Sequence, residues 1–159
     1  MKKSHLVLGG LAVLAVLATA VPASAQNGPF SFFPLTPCRV IDTRGAAGPT
    51  GGPALAANTT RDFPVLGSCA VPTDAKAVAF NITVVRPTDF GDLRVYPQGT
   101  VEPLASVINW VTSDFAVANG AIIPVTGPPA TNNITVKCDM PAGSTGTVHL
   151  IVDVTGYFK

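Results

Sequence analysis

Apolar residues recur at every second position through most of this chain. The longest such run is Gly146–Phe158 (GTVHLIVDVTGYF). Val148, Leu150, Val152 and Val154 share one face, and Thr147, His149, Ile151, Asp153 and Thr155 the other. Alternation of this kind, rich in β-branched residues and bracketed by glycines, predicts a strand. Lys76–Val85 (KAVAFNITVV) repeats the pattern, with Val78, Phe80, Ile82 and Val84 on one face. Shorter runs occupy Pro37–Arg44, Thr59–Leu66, Leu93–Tyr96, Ser106–Val111, Phe115–Val125 and Asn133–Cys138. Gly, Pro, Asp and Ser separate them, and no segment sustains a helical period. About eight strands at roughly ten-residue spacing predict an all-β fold, an antiparallel β-sandwich.

The same pattern carries local expectations. Lys76–Val85 and Leu93–Tyr96 flank the turn Arg86–Asp92 and read as a hairpin. Pro64 cannot donate to a ladder, which places Thr59–Leu66 at a sheet edge. Asn119-Gly120 lies inside a run and reads as a bulge in preference to a two-residue turn. The final run, as the best strand, is expected in the middle of a sheet beside Pro37–Arg44.

The N-terminus changes the domain picture. Met1-Lys2-Lys3 is a basic start, Leu6–Val21 is apolar but shorter than the roughly 20 residues of a membrane span, and Ala23-Ser24-Ala25 has cleavage-site character. Residues 1–25 therefore read as a signal peptide, 26–34 as an apolar N-terminal arm and 35–159 as one β-sandwich domain. An exported product, secreted or held at the cell surface, is expected, with no membrane insertion after cleavage. Lys2 and Lys3 are two of the ten basic side chains, so Gln26–Lys159 carries eight against nine acidic ones, a net −1. That balance excludes a nucleic-acid or anionic-membrane surface. An outer-membrane barrel fits the strand number, but the runs are short, Pro is frequent and aromatic girdles are lacking.

Catalytic chemistry finds little footing. Gln26–Lys159 has one histidine, His149, about 13 Å along the strand from Asp153, too far for a base and its orienter. Ser106 and Ser144 lack a nucleophile-elbow context. The loop GAAGPTGGP contains no GK[ST]. Glu102 is the only glutamate. No enzyme and no cofactor are expected. Paired CxxC or HxxxH spacing for zinc is absent. Calcium from Asp89, Asp92 or Asp139 is weighed, but no DxDxDG run appears. Arg39, Asp42, Arg44 and Asp153 stand in otherwise apolar strands and need partners, because unpaired buried charge is costly. They are read as a structural ion-pair set that pins the first strand to the last.

The segments PCRVIDTR, GGPALAA, GSCxVP, AVAFNITVVRPT, GDLRVYP, SVINW, ANGAIIPV and TVHLIVDVTGYF, in this order, resemble a family of secreted bacterial β-rich modules of the form TPCRVxDTR…VDVxGYF. These are mostly uncharacterised exported proteins of acidobacteria, actinobacteria and relatives. The resemblance covers nearly all of Gln26–Lys159. It implies an all-β accessory or structural module and no catalytic residues. Three cysteines allow three pairings, and oxidation is the default for an exported chain. Cys38 and Cys69 flank the early strands and fall in segments that match the family, so they are taken as the disulfide. Cys138 is left as a buried free thiol or an intermolecular bridge.

Two functions from different classes follow. The first is a structural or interaction protein that associates with itself or other extracellular proteins by strand addition, with Phe30, Phe32, Phe33 and Leu35 as the assembly arm. Those aromatics are weighed against packing on their own domain. The second is a carbohydrate-binding module that uses Trp110, Tyr96 and Tyr157, each weighed against core or edge packing.

Overall fold

Strand β9 (Thr147–Phe158) lies inside the sheet it belongs to, with β1 (Phe32–Asp42) on one side and β4 (Ala77–Val85) on the other. The chain is described here by a computed structural model covering residues 28–159. The signal-peptide reading of residues 1–25 falls outside the described residues. Val148, Leu150, Val152 and Val154 are at most 2 % exposed, so the face predicted from alternation is the buried one. Val78, Phe80, Ile82 and Val84 of β4 are buried beside them.

The first sheet runs β1-β9-β4-β7, where β7 is Ala116–Pro124, and the two-residue strand β2 (Leu55–Ala56) also pairs with β9. The second sheet runs β3-β8-β5-β6: Thr59–Phe63, Ile134–Asp139, Gly91–Pro97 and Ile108–Trp110. All pairings are antiparallel. The inner faces enclose one core, in which Phe63, Leu93, Ile134 and Val136 of the second sheet meet Val78, Ile82, Val148 and Leu150 of the first. The result is the expected all-β sandwich, with nine strands among the described residues.

Two local expectations fail. Lys76–Val85 and Leu93–Tyr96 form no hairpin, because β4 pairs with β9 and β7 while β5 pairs with β8 and β6. Arg86, at a left-handed φ of 51°, turns the chain out of one sheet and across to the other. Asn119-Gly120 forms neither a bulge nor a turn. β7 passes straight through, pairing Asn119 with Ile82 and Gly120 with Asn81 without a register shift. The irregularities lie elsewhere, between Pro34 and Cys38, between Arg39 and Ile41, and between Ala79 and Phe80.

The N-terminal strand starts at Phe32, inside the segment read as an arm. Phe32 pairs with Phe158 and Phe33 with Tyr157 of the same chain. Their rings meet at 5.1 Å in both pairs, Phe33 and Tyr157 stacked at 15°. Gly156 makes this possible: a Cβ there would lie 2.4 Å from the Phe32 ring and 2.8 Å from the Phe33 carbonyl oxygen. The glycine of the VTGYF end is thus a seat for an aromatic side chain.

Candidate functional site

Four edges close the two sheets, and three are blunted. β1 carries Pro34, Pro37, Arg39 and two register shifts, and the Asp42 N–H is already taken by the Thr50 carbonyl. β3 has five residues, including Arg61 and Asp62, and Pro64 follows it. Arg61 reaches over to donate to the carbonyls of Gly48, Gly52 and Pro53, clamping the Gly/Pro loop beside it. β6 is three residues long. Charge, proline, bulges and shortness are the usual means of protecting an edge.

β7 has almost none of these. Its nine residues, AVANGAIIP, contain no charge, and its proline is the last of them. The Val125 N–H donates to the Lys76 carbonyl at 3.1 Å, and the Arg86 N–H donates to the Phe115 carbonyl at 2.9 Å. Both bonds continue the β4 register, Ala77 to Pro124 through Val85 to Ala116. Odd-numbered residues of β7 therefore bond to β4. Ala116, Ala118, Gly120 and Ile122 direct their N–H and C=O groups away from the sheet. Pro124 falls in the same set, so its missing N–H costs the ladder nothing. Among the described residues no strand pairs with this side of β7. Apolar side chains flank it: Phe115 is 68 % exposed and Ile122 60 %. Chemically, this is a row of free donors and acceptors with small side chains around them, able to accept an extended strand.

Compared with known proteins, the chain matches no family model and no curated protein.

The residues singled out from sequence fall elsewhere. Cys38 and Cys69 form the disulfide, across a separation of 31 residues. Cys138 is free and fully buried on β8, its thiol pushed up to about 12 by burial. An intermolecular bridge there would require opening the core. Arg39 bonds Asp153 through Nε at 2.9 Å and Nη2 at 3.2 Å, joining β1 to β9 as expected. Arg44 bonds both Asp42 oxygens, at 2.8 and 2.7 Å, and Arg39 also approaches Asp42 at 3.5 Å. The expectation of burial does not hold for this set, since both guanidinium side chains are nearly half exposed.

The Arg44 guanidinium holds the Asp42 carboxyl down at about 2, from an ordinary 3.8. A carboxyl with a depressed folded-state value adds stability above its unfolded value and loses it as pH falls through the folded one. Wild type and Asp42→Asn are therefore expected to converge in stability between about pH 4 and pH 2. Urea titrations at stepped pH check this, and a stability difference that stays constant from pH 5 to about pH 2 would refute it.

The glycan candidates are occupied. Trp110 is 4 % exposed and its Nε1 donates to the Asp89 carbonyl at 2.8 Å. Tyr96 is 8 % exposed, and Tyr157 stacks on Phe33. Among the assembly-arm residues, Leu35 packs on the core and Phe30 lines a cavity with Lys76 and Pro128, so the arm docks on its own domain. Of the calcium candidates, Asp89 and Asp139 are engaged by other groups, whereas Asp92 Oδ1 has no hydrogen bond and only Arg94 Nε at 3.8 Å. Asp92 and Asp139 face each other across β5 and β8, and Arg94 lies 3.1 Å from Asp139, an ion contact without hydrogen-bond alignment. Burial and the Asp139 charge raise the Asp92 carboxyl above its ordinary value. Asp89 accepts from Ser144 Oγ at 2.8 Å. Among the described residues no group of three or more His, Cys, Asp or Glu is arranged to hold a metal ion. His149 Nδ1 sits 3.1 Å from the Thr43 carbonyl, a strand-to-loop tie. No helix among the described residues is long and apolar enough to cross a membrane.

Sequence reasoning missed Asn133. From sequence it is only the polar first residue of the run Asn133–Cys138. The side chain is 2 % exposed, accepts from the N–H groups of Val65 and Leu66 and donates to the Thr126 carbonyl. The β7 edge was missed as well, although its signal is visible in hindsight as a nine-residue run without charge.

Proposed function

We propose that the protein is an exported, non-catalytic interaction module that works by accepting an extended strand at the free edge of β7. The open, uncharged edge carries this reading. Backbone groups left unpaired at an edge bind a further strand in register, and flanking apolar side chains add affinity. The leader-like N-terminus and the Cys38–Cys69 disulfide support export, because disulfides persist in oxidising compartments. Assembly into larger extracellular structures follows if the accepted strand belongs to another protein molecule. A carbohydrate-binding role would need displayed aromatic rings, and Trp110, Tyr96 and Tyr157 are committed to internal contacts.

A labelled peptide of the Ala116–Pro124 sequence, flanked by lysines for solubility, tests the acceptor. Its fluorescence anisotropy is expected to rise saturably with wild-type protein and to stay flat with Ala118→Pro. That substitution removes an outward N–H and leaves the β4 ladder complete. No binding by the wild type overturns the reading.

A further inference from the structure

The geometry points to a second copy of this chain as the strand that β7 accepts, joined antiparallel about a twofold axis through Asn119. The inference rests on the reading of β7 as an acceptor and names its partner. An isologous contact requires one patch to complement itself. β7 does so. With Ala116 opposite the partner's Ile122 and Ala118 opposite the partner's Gly120, every outward N–H finds an outward carbonyl. Pro124, which has no N–H, then falls beyond the ladder opposite Asp114.

Side chains fit the same register. Ile122, 60 % exposed, comes beside the partner's exposed Ala116, and Phe115, 68 % exposed, lies opposite the partner's Ile123, which is buried in its own core. No charged residue lies between Ala116 and Pro124, so antiparallel stacking brings no like charges together. Ala118 and Gly120 are small enough to let the two backbones approach. The β1-β9-β4-β7 order would continue across the axis into the same strands of the second copy, reversed. A ladder of this length lies at the small end of specific interfaces, so the dimer forms reversibly and depends on concentration.

Sedimentation equilibrium of the full chain tests this. The wild-type mass is expected to rise to about twice the monomer as protein approaches about 1 mM. Ala118→Pro and, independently, Ile122→Lys should hold it at the monomer, Ile122→Lys by charging the edge. Asn119→Cys should form an intermolecular disulfide on oxidation, because non-hydrogen-bonded partners bring Cα atoms to about 4.5 Å. A wild-type monomer that still binds the Ala116–Pro124 peptide overturns self-pairing and leaves the acceptor standing. One that binds no peptide takes both down. A dimer that both edge variants leave intact also overturns the inference, and absence of the Asn119→Cys cross-link in a dimer overturns the register.

Discussion

Trp110→Ala is expected to destabilise the protein by about 3–5 kcal/mol, enough to lower the melting temperature by roughly 10–20 °C. Trp110 ends β6 and lies opposite Gly91 on β5. A Cβ on Gly91 would sit 2.9 Å from the indole Cζ2, so the ring occupies the space that the glycine leaves empty. The indole N–H holds the Asp89 carbonyl, and the Asp89 carboxylate holds Ser144, whose hydroxyl accepts from the Gly146 N–H. Truncation would open a cavity and loosen the turn after β4 together with the entry to β9. Phe90, next to Asp89 but 56 % exposed, serves as the control: Phe90→Ala should stay within about 0.5 kcal/mol of wild type. Urea unfolding of both variants separates the cases. A Trp110→Ala protein within about 1 kcal/mol of wild type would show that the ring is not a core element. A glycan array run with that destabilised variant would confuse unfolding with lost binding.

Removing the disulfide is expected to cost about 3–4 kcal/mol, the chain-entropy value for a separation of 31 residues. The bridge ties β1, the irregular edge of the first sheet, to the connection that leaves β3. Few backbone pairings hold β1 between Pro34 and Cys38, where the register shifts. Reduction should therefore free the Phe32–Pro34 end first, unstacking Phe33 from Tyr157 and Phe32 from Phe158. Urea titration of the double variant Cys38→Ser, Cys69→Ser against wild type measures the loss. Hydrogen exchange at Phe32–Asp42 locates it. A change below about 1 kcal/mol would mean that packing alone positions this strand.

Much of the fold was legible because burial acts on alternate residues. The faces of β4 and β9 were assigned correctly, residue by residue, since a strand slipped by one position would expose its whole apolar set. Pro64 marked an edge strand for an equally local reason. Arg39, Asp42, Arg44 and Asp153 were recognised as mutual partners because charges within apolar strands need one another, although the set turned out to be half solvated.

Pairing was less legible. Alternation says which face is buried and is silent on which strand lies alongside. β4 and β5 are neighbours in sequence and lie in different sheets, and most connections cross from one sheet to the other. The arm was open between two readings for the same reason. Phe32 and Phe33, read as an assembly arm and weighed against packing on their own domain, meet Tyr157, Phe158 and the gap over Gly156 at the far end of the chain. Asn133 reads as an ordinary polar residue at a strand start. Only the folded chain brings the unpaired amides of Val65 and Leu66 to its carboxamide oxygen.

The sequence by itself determined the class, the buried faces and the charges that pair, because these depend on residue type and on spacing within one segment. Tertiary structure decided the sheet order, the docking of the N-terminal strand, the fate of the aromatics and the position of β7 at an open edge. Each of those depends on which distant segments meet. An open edge is defined by what fails to lie beside it, so the charge-free run of β7 becomes an acceptor only once its neighbours are placed.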